Sequence, residues 1–317
     1  MKKLALAIAI ATTPFAVQAE TLNLQIEKPE FYGRINMSVQ AATENDRTST
    51  QMKSNASRVG IKGKGNLDHG LKAIYQLEYA VYPDAGSTDD KDKEFTVRDS
   101  FIGLQGGFGE IKAGALNTPF KKIENKIDLF NNLEGDLKNL ISEDQDRKKN
   151  SVHYTTPKMS GLQLSTALIA NKDEVAGNTT GADDGISIAL TYQRDNWLVA
   201  YAHNDGVDGK DTDADRVTTQ IKFGSVQLGA LWEQSDQGAG SENAWLVSAA
   251  WQASQAITLK AQGGQSDIHE QGGQTASLGL DYALAKNAKT FVYFTSNRAD
   301  DSSKDADYAG VGLEYIF

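Results

Sequence analysis

The side chains able to do chemistry are few and poorly grouped. The four histidines, His69, His153, His203 and His269, are scattered along the chain. His269 opens His-Glu-Gln-Gly-Gly, which lacks the second histidine of a zinc-protease helix. Asp211, Asp213 and Asp215 alternate like the start of a calcium loop. That loop needs glycine at its sixth position and glutamate at its twelfth; Arg216 and Lys222 stand there instead. There is no cysteine and no Gly-x-Ser-x-Gly nucleophile elbow. The spacing therefore points away from hydrolysis or metal catalysis, and no cofactor is called for. What remains is a set of large cations embedded in alternating sequence: Arg34, Arg58, Lys62, Lys64, Arg98, Lys112, Arg216, Lys222 and Lys260. Their use depends on which side of which element carries them.

The elements read as strands. In "FYGRINMSV", Phe31, Gly33, Ile35, Met37 and Val39 share one face and Tyr32, Arg34, Asn36 and Ser38 the other. "LKAIYQLEYAV" sets Leu71, Ala73, Tyr75, Leu77, Tyr79 and Val81 against Lys72, Gln76 and Glu78. "TASLGLDYAL" and "NAWLVSAAWQ" repeat the pattern, and about sixteen such segments run from residue 31 to 317. The segment 94–107 alternates least well, because Asp99, Ile102 and Leu104 break its phase. Short turns such as "RDN" and "FGS" alternate with long polar loops such as "ENDRTSTQMKS" and "DGVDGKDT". Pro29, Pro83, Pro119 and Pro157 all fall at segment ends, where a missing N–H breaks no ladder bond.

Mean hydropathy is −0.46 and the net charge −10, which disfavours nucleic acid as a partner. Residues 1–19 combine two lysines, an apolar run and a small-x-small end, and predict a secretory signal peptide cut after Ala19. Sixteen strands enclose a lumen too wide for side chains to fill, so it holds water. The apolar faces must then point out into lipid, and ring closure satisfies the backbone. The expected fold is all-β: a transmembrane antiparallel up-and-down barrel of about sixteen strands over 20–317. Arg34, Arg58 and Arg98 fall on its lumen face. Aromatics near strand ends (Phe31, Tyr79, Trp197, Trp232, Tyr293, Tyr315, Phe317) suit interfacial girdles.

One connection, about 118–148, does not alternate. Phe120, Ile123, Ile127, Phe130, Leu133, Leu137 and Leu140 recur at three- and four-residue steps, a helical pattern. As the third long loop it is expected to fold into the barrel, where its apolar stripe can pack on the wall.

Together, "FYGRI", "SRVGIKG", "VRDSFIGLQGGFGEIKAG", "NTPF", "RKKNSVHYTTPKMSGLQL" and the terminal "GLEYIF" resemble one family: the general, trimeric porins of Gram-negative outer membranes, on the Neisseria, Comamonas and Vibrio branch. The resemblance covers essentially all of the chain beyond the leader. It implies an integral outer-membrane homotrimer in contact with lipid and lipopolysaccharide, passing small hydrophilic solutes and ions passively. It implies basic wall residues Arg34, Arg58, Arg98 and Arg147 facing loop acids Glu134, Asp136 and Asp128. It also implies that the last strand closes the barrel on the first, with Tyr315 and Phe317 read by the barrel-assembly machinery. Ala115 stands where relatives often carry an arginine, and with the acidic chain this leans the expectation towards cation preference. A substrate-selective outer-membrane channel and a barrel hydrolase are the rival readings. The first lacks a recognisable aromatic slide and the second an assembled catalytic motif.

Overall fold

Period-two alternation with lipid on one side and water on the other dictates a closed ring. The computed structural model describes residues 25–44, 46–84, 95–124, 126–139, 147–170, 184–209, 211–238, 240–268 and 273–317. The leader and parts of several long connections lie outside them. The ring is made of β1 (Glu30–Glu44), β2 (Arg47–Ser54 and Arg58–Asn66), β3 (Lys72–Ala80), β4 (Thr96–Val97 and Ser100–Gly106), β5 (Gly109–Asn117), β6 (Arg147–Thr155), β7 (Leu162–Ile169) and β8 (Gly185–Arg194). It continues through β9 (Trp197–Asp205), β10 (Asp213–Phe223), β11 (Val226–Asp236), β12 (Ser241–Gln252), β13 (Ile257–Ser266), β14 (Gly273–Ala285), β15 (Ala288–Arg298) and β16 (Ala306–Ile316). Each strand pairs antiparallel with its sequence neighbours, and β16 closes on β1 from Ala306 opposite Glu44 to Ile316 opposite Arg34. Phe317 N–H donates to Gly33 O at 3.0 Å and Gly33 N–H to Phe317 O at 2.8 Å, extending the seam by one pair.

Burial is inverted relative to a water-soluble protein. Val39, Leu77, Leu168, Ile188, Val199, Leu278, Val292 and Val311 are exposed on the outer face. Ser38, Gln40, Ser187, Thr218, Gln262, Ser277 and Thr295 are buried on the inner one. The exposed stripe is favourable only against hydrocarbon. No helix among the described residues is long and apolar enough to cross a membrane. Phe31, Tyr79, Trp197, Trp232, Tyr315 and Phe317 are exposed near strand ends. Tyr293 is not in the girdle: it is 5% exposed and turned inward, its hydroxyl on Gln40 Oε1.

Three further expectations change. "ENDRTSTQMKS" is mostly not loop, because Arg47–Ser54 continues the β1 hairpin. A kink at 55–57 separates it from Arg58–Asn66; Ala56 is left-handed there (φ 55°), while Asn55 and Ser57 are buried against Asn36 and Ser38. The poor alternation of 94–107 marks a real interruption: the strand breaks at Arg98 and Asp99, and both side chains join ion pairs of the barrel wall.

The third change concerns the third long loop: its described residues, 118–124 and 126–139, fold into the barrel with little helix, and Leu140 lies outside them. Thr118 caps one short helix, α1 (Pro119–Lys122), and a 3-10 turn follows at Leu137–Asn139. Between them, tight turns link Glu124 N–H to Lys121 O, Ile127 to Glu124, Leu133 to Phe130 and Asp136 to Leu133. Consecutive three-residue turns produce the same apolar spacing that suggested a helix. The stripe docks at three places on the wall. Phe120 and Ile123 meet Ala189, Leu198, Ala200, Ala202 and Ala214 of β8–β10. Ile127 and Leu137 meet Leu231, Ala244, Leu246 and Ile268. Phe130 meets Phe291 and Tyr293. Gly229 and Gly279 keep the wall low here, since a Cβ would approach Ile127 to 3.1 Å and Phe130 to 3.0 Å.

The inversion can be tested on the outer face. Leu278→Arg puts a guanidinium mid-strand against lipid and should destabilise the barrel by about 2–4 kcal/mol. The check is the urea midpoint of barrel unfolding in vesicles; an unshifted midpoint contradicts the lipid-facing assignment.

Candidate pore constriction

The described loop residues pack on the inner wall from β8 round to β16 and reach β1 and β2 through Glu134, which leaves the gap over β3–β6. Around that gap the wall charges form a belt. Arg147 Nε meets Asp99 Oδ1 at 2.5 Å, and Arg98 Nε meets Glu78 Oε1 at 2.7 Å. Arg58 Nε lies 3.5 Å from Glu78 Oε2, which also accepts from the Tyr32 hydroxyl at 3.0 Å. Arg34 Nε meets Glu314 Oε2 at 2.8 Å. Lys289 bridges Glu314 Oε1 (3.8 Å) and Asp281 Oδ2 (2.8 Å), and Lys260 meets Asp281 Oδ1 at 2.9 Å. Signs alternate along a path from β6 through β1 to β13 except where Arg58 and Arg34 stand side by side, with six cations named and four carboxylates.

Strand register explains the order. Arg34 and Arg58 are directly opposite in the β1–β2 ladder, a repulsive placement. Glu78 on β3 and Glu314 on β16 flank the pair and offset it. The 55–57 kink helps aim them: Arg34 Nη2 donates to Asn55 O (3.3 Å) and Arg58 Nη1 to Ala56 O (3.4 Å). The break in β4 lets consecutive residues Arg98 and Asp99 both reach partners. The structure thus brings Arg34, Arg58, Arg98 and Arg147 into one belt, each partly open to water (17, 26, 22 and 18% of the side chain).

The loop acids are placed differently from one another. Glu134 reaches the wall: Oε1 accepts from Gln40 Nε2 at 2.7 Å and lies 3.2 Å from Lys53 Nζ. Asp128 is buried in the loop, accepting from Phe130 N–H and Gln262 Nε2 on one oxygen and from Leu137 N–H on the other. Burial, then the nearby Asp136 carboxylate, push its carboxyl upward, while the Gln262 and Leu137 donors pull it back. Asp136, 3% exposed, accepts from Asn132 and Lys138 N–H. Both carboxylates tie the loop's turns together. Among the described loop residues, the exposed charged side chains are Lys122, Lys126 and Lys138, and none of Glu124, Asp128, Glu134 and Asp136 is exposed. Glu143, Asp144 and Asp146 lie outside the described residues.

Motif reasoning missed Glu78, Asp99, Asp281, Glu314 and Lys289. The signal was present for Glu78, Asp281 and Glu314, which share the alternation face of the wall cations. The rival motifs dissolve into strand geometry. Asp215 faces outward, accepting from the Tyr201 hydroxyl (2.6 Å) beside His203 Nδ1 (3.0 Å), while Arg216 points in. His153 is buried against Ser151, and His269 lies outside the described residues. No group of three or more His, Cys, Asp or Glu among the described residues could hold a metal.

Comparison with known proteins agrees with this geometry. Residues 5–302 match the sequence profile of the Gram-negative porins. The chain is 26% identical to the major outer membrane protein P.IB of Neisseria gonorrhoeae over 334 aligned positions, covering all of this chain and 90% of that protein. With P.IB of Neisseria sicca it is 29% identical over 215 residues, 64% of this chain and only 57% of the relative's length. The fold is similar to that of the anion-selective porin from Comamonas acidovorans (TM-score 0.79, 19% identity, 92% of this chain and 99% of that one). It is also similar to Salmonella typhi OmpF in complex with daunomycin (TM-score 0.75, 16% identity, 92% and 98%). At such identities the likeness is one of fold.

Asp128 provides a test of the loop's internal fastening. Asp128→Ala leaves two backbone N–H groups and Gln262 without their acceptor, at about 1–3 kcal/mol for a buried donor. Limited proteolysis of the folded barrel should then cut faster within 126–139; an unchanged rate means that Asp128 does not fasten the loop.

Proposed function

This chain belongs to the Gram-negative porin family, and from that premise we propose that it is a water-filled outer-membrane channel for passive diffusion of small hydrophilic solutes and ions. The carrying observation is the inverted barrel whose third long loop folds inward and leaves one charged gap. No bond is made or broken in this reading, and the scattered histidines and serines have no catalytic task. Solutes cross down their gradients, filtered by the width of the gap and by its charge.

Charge on the two sides of the gap sets selectivity. The wall contributes six cations against four carboxylates, and the exposed charges of the described loop residues are lysines. Field from these described groups at the water-facing edge favours anions weakly, a reading opposite to the cation preference expected from Ala115 and the overall acidity. Net charge on distant outer loops counts little here, because screening acts over about 8 Å at physiological salt. Carboxylates and phosphates are the solutes such an edge draws in. A substrate-selective channel remains the second reading, favoured by the ordered alternation of charge along the belt.

The remaining assignments are proposals from family membership: export with cleavage after Ala19, a homotrimer, contact with lipopolysaccharide, and recognition of Tyr315 and Phe317 by the barrel-assembly machinery. Tyr315 and Phe317 rings stack at 6.2 Å, and Phe31 sits 5.9 Å from Phe317 across the seam, making one aromatic patch at the closing strands.

Planar bilayers test the central reading. Purified protein should give stepwise conductance, with three levels per insertion if trimeric, and a reversal potential in a salt gradient of the sign for anion preference. Absence of conductance rejects the channel. Arg58→Ser and Arg98→Ser each free a Glu78 oxygen and should shift the reversal potential towards cations; an unmoved potential removes these arginines from the ion path.

A further inference from the structure

One ion pair of the inner wall takes no part in the belt. Arg216 on β10 and Glu233 on β11 stand opposite in register, and both are completely buried. Arg216 Nε and Nη2 donate to the same oxygen, Glu233 Oε2, at 2.8 and 2.5 Å. The guanidinium also leaves the wall plane: Nη1 donates to Phe120 O at 3.3 Å, and the group lies 4.1 Å from the centroid of the Phe120 ring. Its neighbours hold the same stretch of loop. Thr218, the next inward residue of β10, donates to Ile123 O at 2.9 Å, and Ser187 Oγ on β8 accepts from Phe120 N–H at 3.2 Å.

We propose that Arg216 is a positioning residue for the constriction: through Phe120 it fixes where the loop leaves β5 and so sets the aperture of the channel. The inference rests on the porin reading above. Burial of both charges removes them from the ion path, so they cannot act as a selectivity filter. Small apolar side chains (Ala189, Ala200, Ala202 and Ala214) line one side and the loop charges Lys121 and Glu124 lie near, a place where burying a charge pair is costly. An aliphatic pair would serve the wall equally; it could not bind the carbonyl and the ring of Phe120 together. Lysine could not do so either, since a point charge lacks the planar fork that engages carboxylate, carbonyl and ring at once. The location suits the role. Residues 118–123 are the first to leave the wall ladder, so a small rotation there is carried along the loop to Lys122, Lys126 and Glu134 at the gap.

The test compares the wild-type channel with Arg216→Met, Glu233→Met, the double Arg216→Met/Glu233→Met and Arg216→Lys in planar bilayers. Barrel folding is read from heat-dependent mobility on gels. Arg216→Met and the double variant should lose the steady single-channel level, giving a larger, flickering current. Arg216→Lys should restore the level only in part. Wild-type steady current in a folded double variant overturns the proposal and leaves the pair a wall element. If the double variant does not fold, Arg216→Lys decides: a wild-type current there is the overturning result. A wild-type protein without conductance instead rejects the underlying channel reading.

Discussion

Everything in this structure follows from the backbone hydrogen bonds that close β16 onto β1. In hydrocarbon an unpaired strand edge has no water to satisfy it. The sheet must therefore return on itself, and sixteen strands make a ring too wide to fill with side chains. Once the ring encloses water, the ordinary preference of side chains reverses. Leu278 and Val311 gain by facing out, and Gln262 and Ser277 by facing in. The hydrophobic effect here stabilises insertion, while the ladder fixes the shape.

The loop solves the problem that closure creates. A lumen of that width discriminates poorly among small solutes. Folding residues 118–124 and 126–139 inward narrows it, and the loop needs its own apolar anchorage to stay there. Alanines and glycines on β8–β14 lower the wall so that Phe120, Ile127 and Phe130 can seat against it. A polar wall would hold a loop only through hydrogen bonds that water competes for. The apolar seats exclude that water and make the accompanying bonds, such as Gln262 to Asp128, effective.

Much of this was legible in the sequence. Alternation gave the strand count and the inner face of Arg34, Arg58 and Arg98, and the apolar stripe of the one connection that does not alternate gave the inward loop. Where reading failed, the cause was a local geometry that shares a signature with another. Consecutive three-residue turns mimic helical spacing, so among the described loop residues most of the expected helix is absent. Polar residues 47–54 look like loop because that part of the strand pairs above the apolar band and needs no alternation. Tyr293 resembles a girdle aromatic by position near a strand end, yet strand parity sends it inward to Gln40. Asp128 and Asp136 are expected from sequence to face the wall cations together with Glu134. All three are acids of one loop, and only three-dimensional placement distinguishes a carboxylate capping backbone N–H groups from one reaching across to Lys53.

Two kinds of ion pair on one wall obey different physics. Belt pairs such as Arg98–Glu78 keep an edge in water, so each contributes only about 0–1 kcal/mol to stability. Their worth lies in the potential they leave in the gap, which pairing moderates without cancelling. Arg216–Glu233 has no edge in water at all, and its attraction is unscreened by salt. Such a pair tolerates little displacement, because moving either partner leaves a buried charge uncompensated. That intolerance suits a fixed anchor, and the moderated field of the belt suits a surface that ions must bind weakly and leave. The same residue types thus do opposite work according to whether the loop covers them.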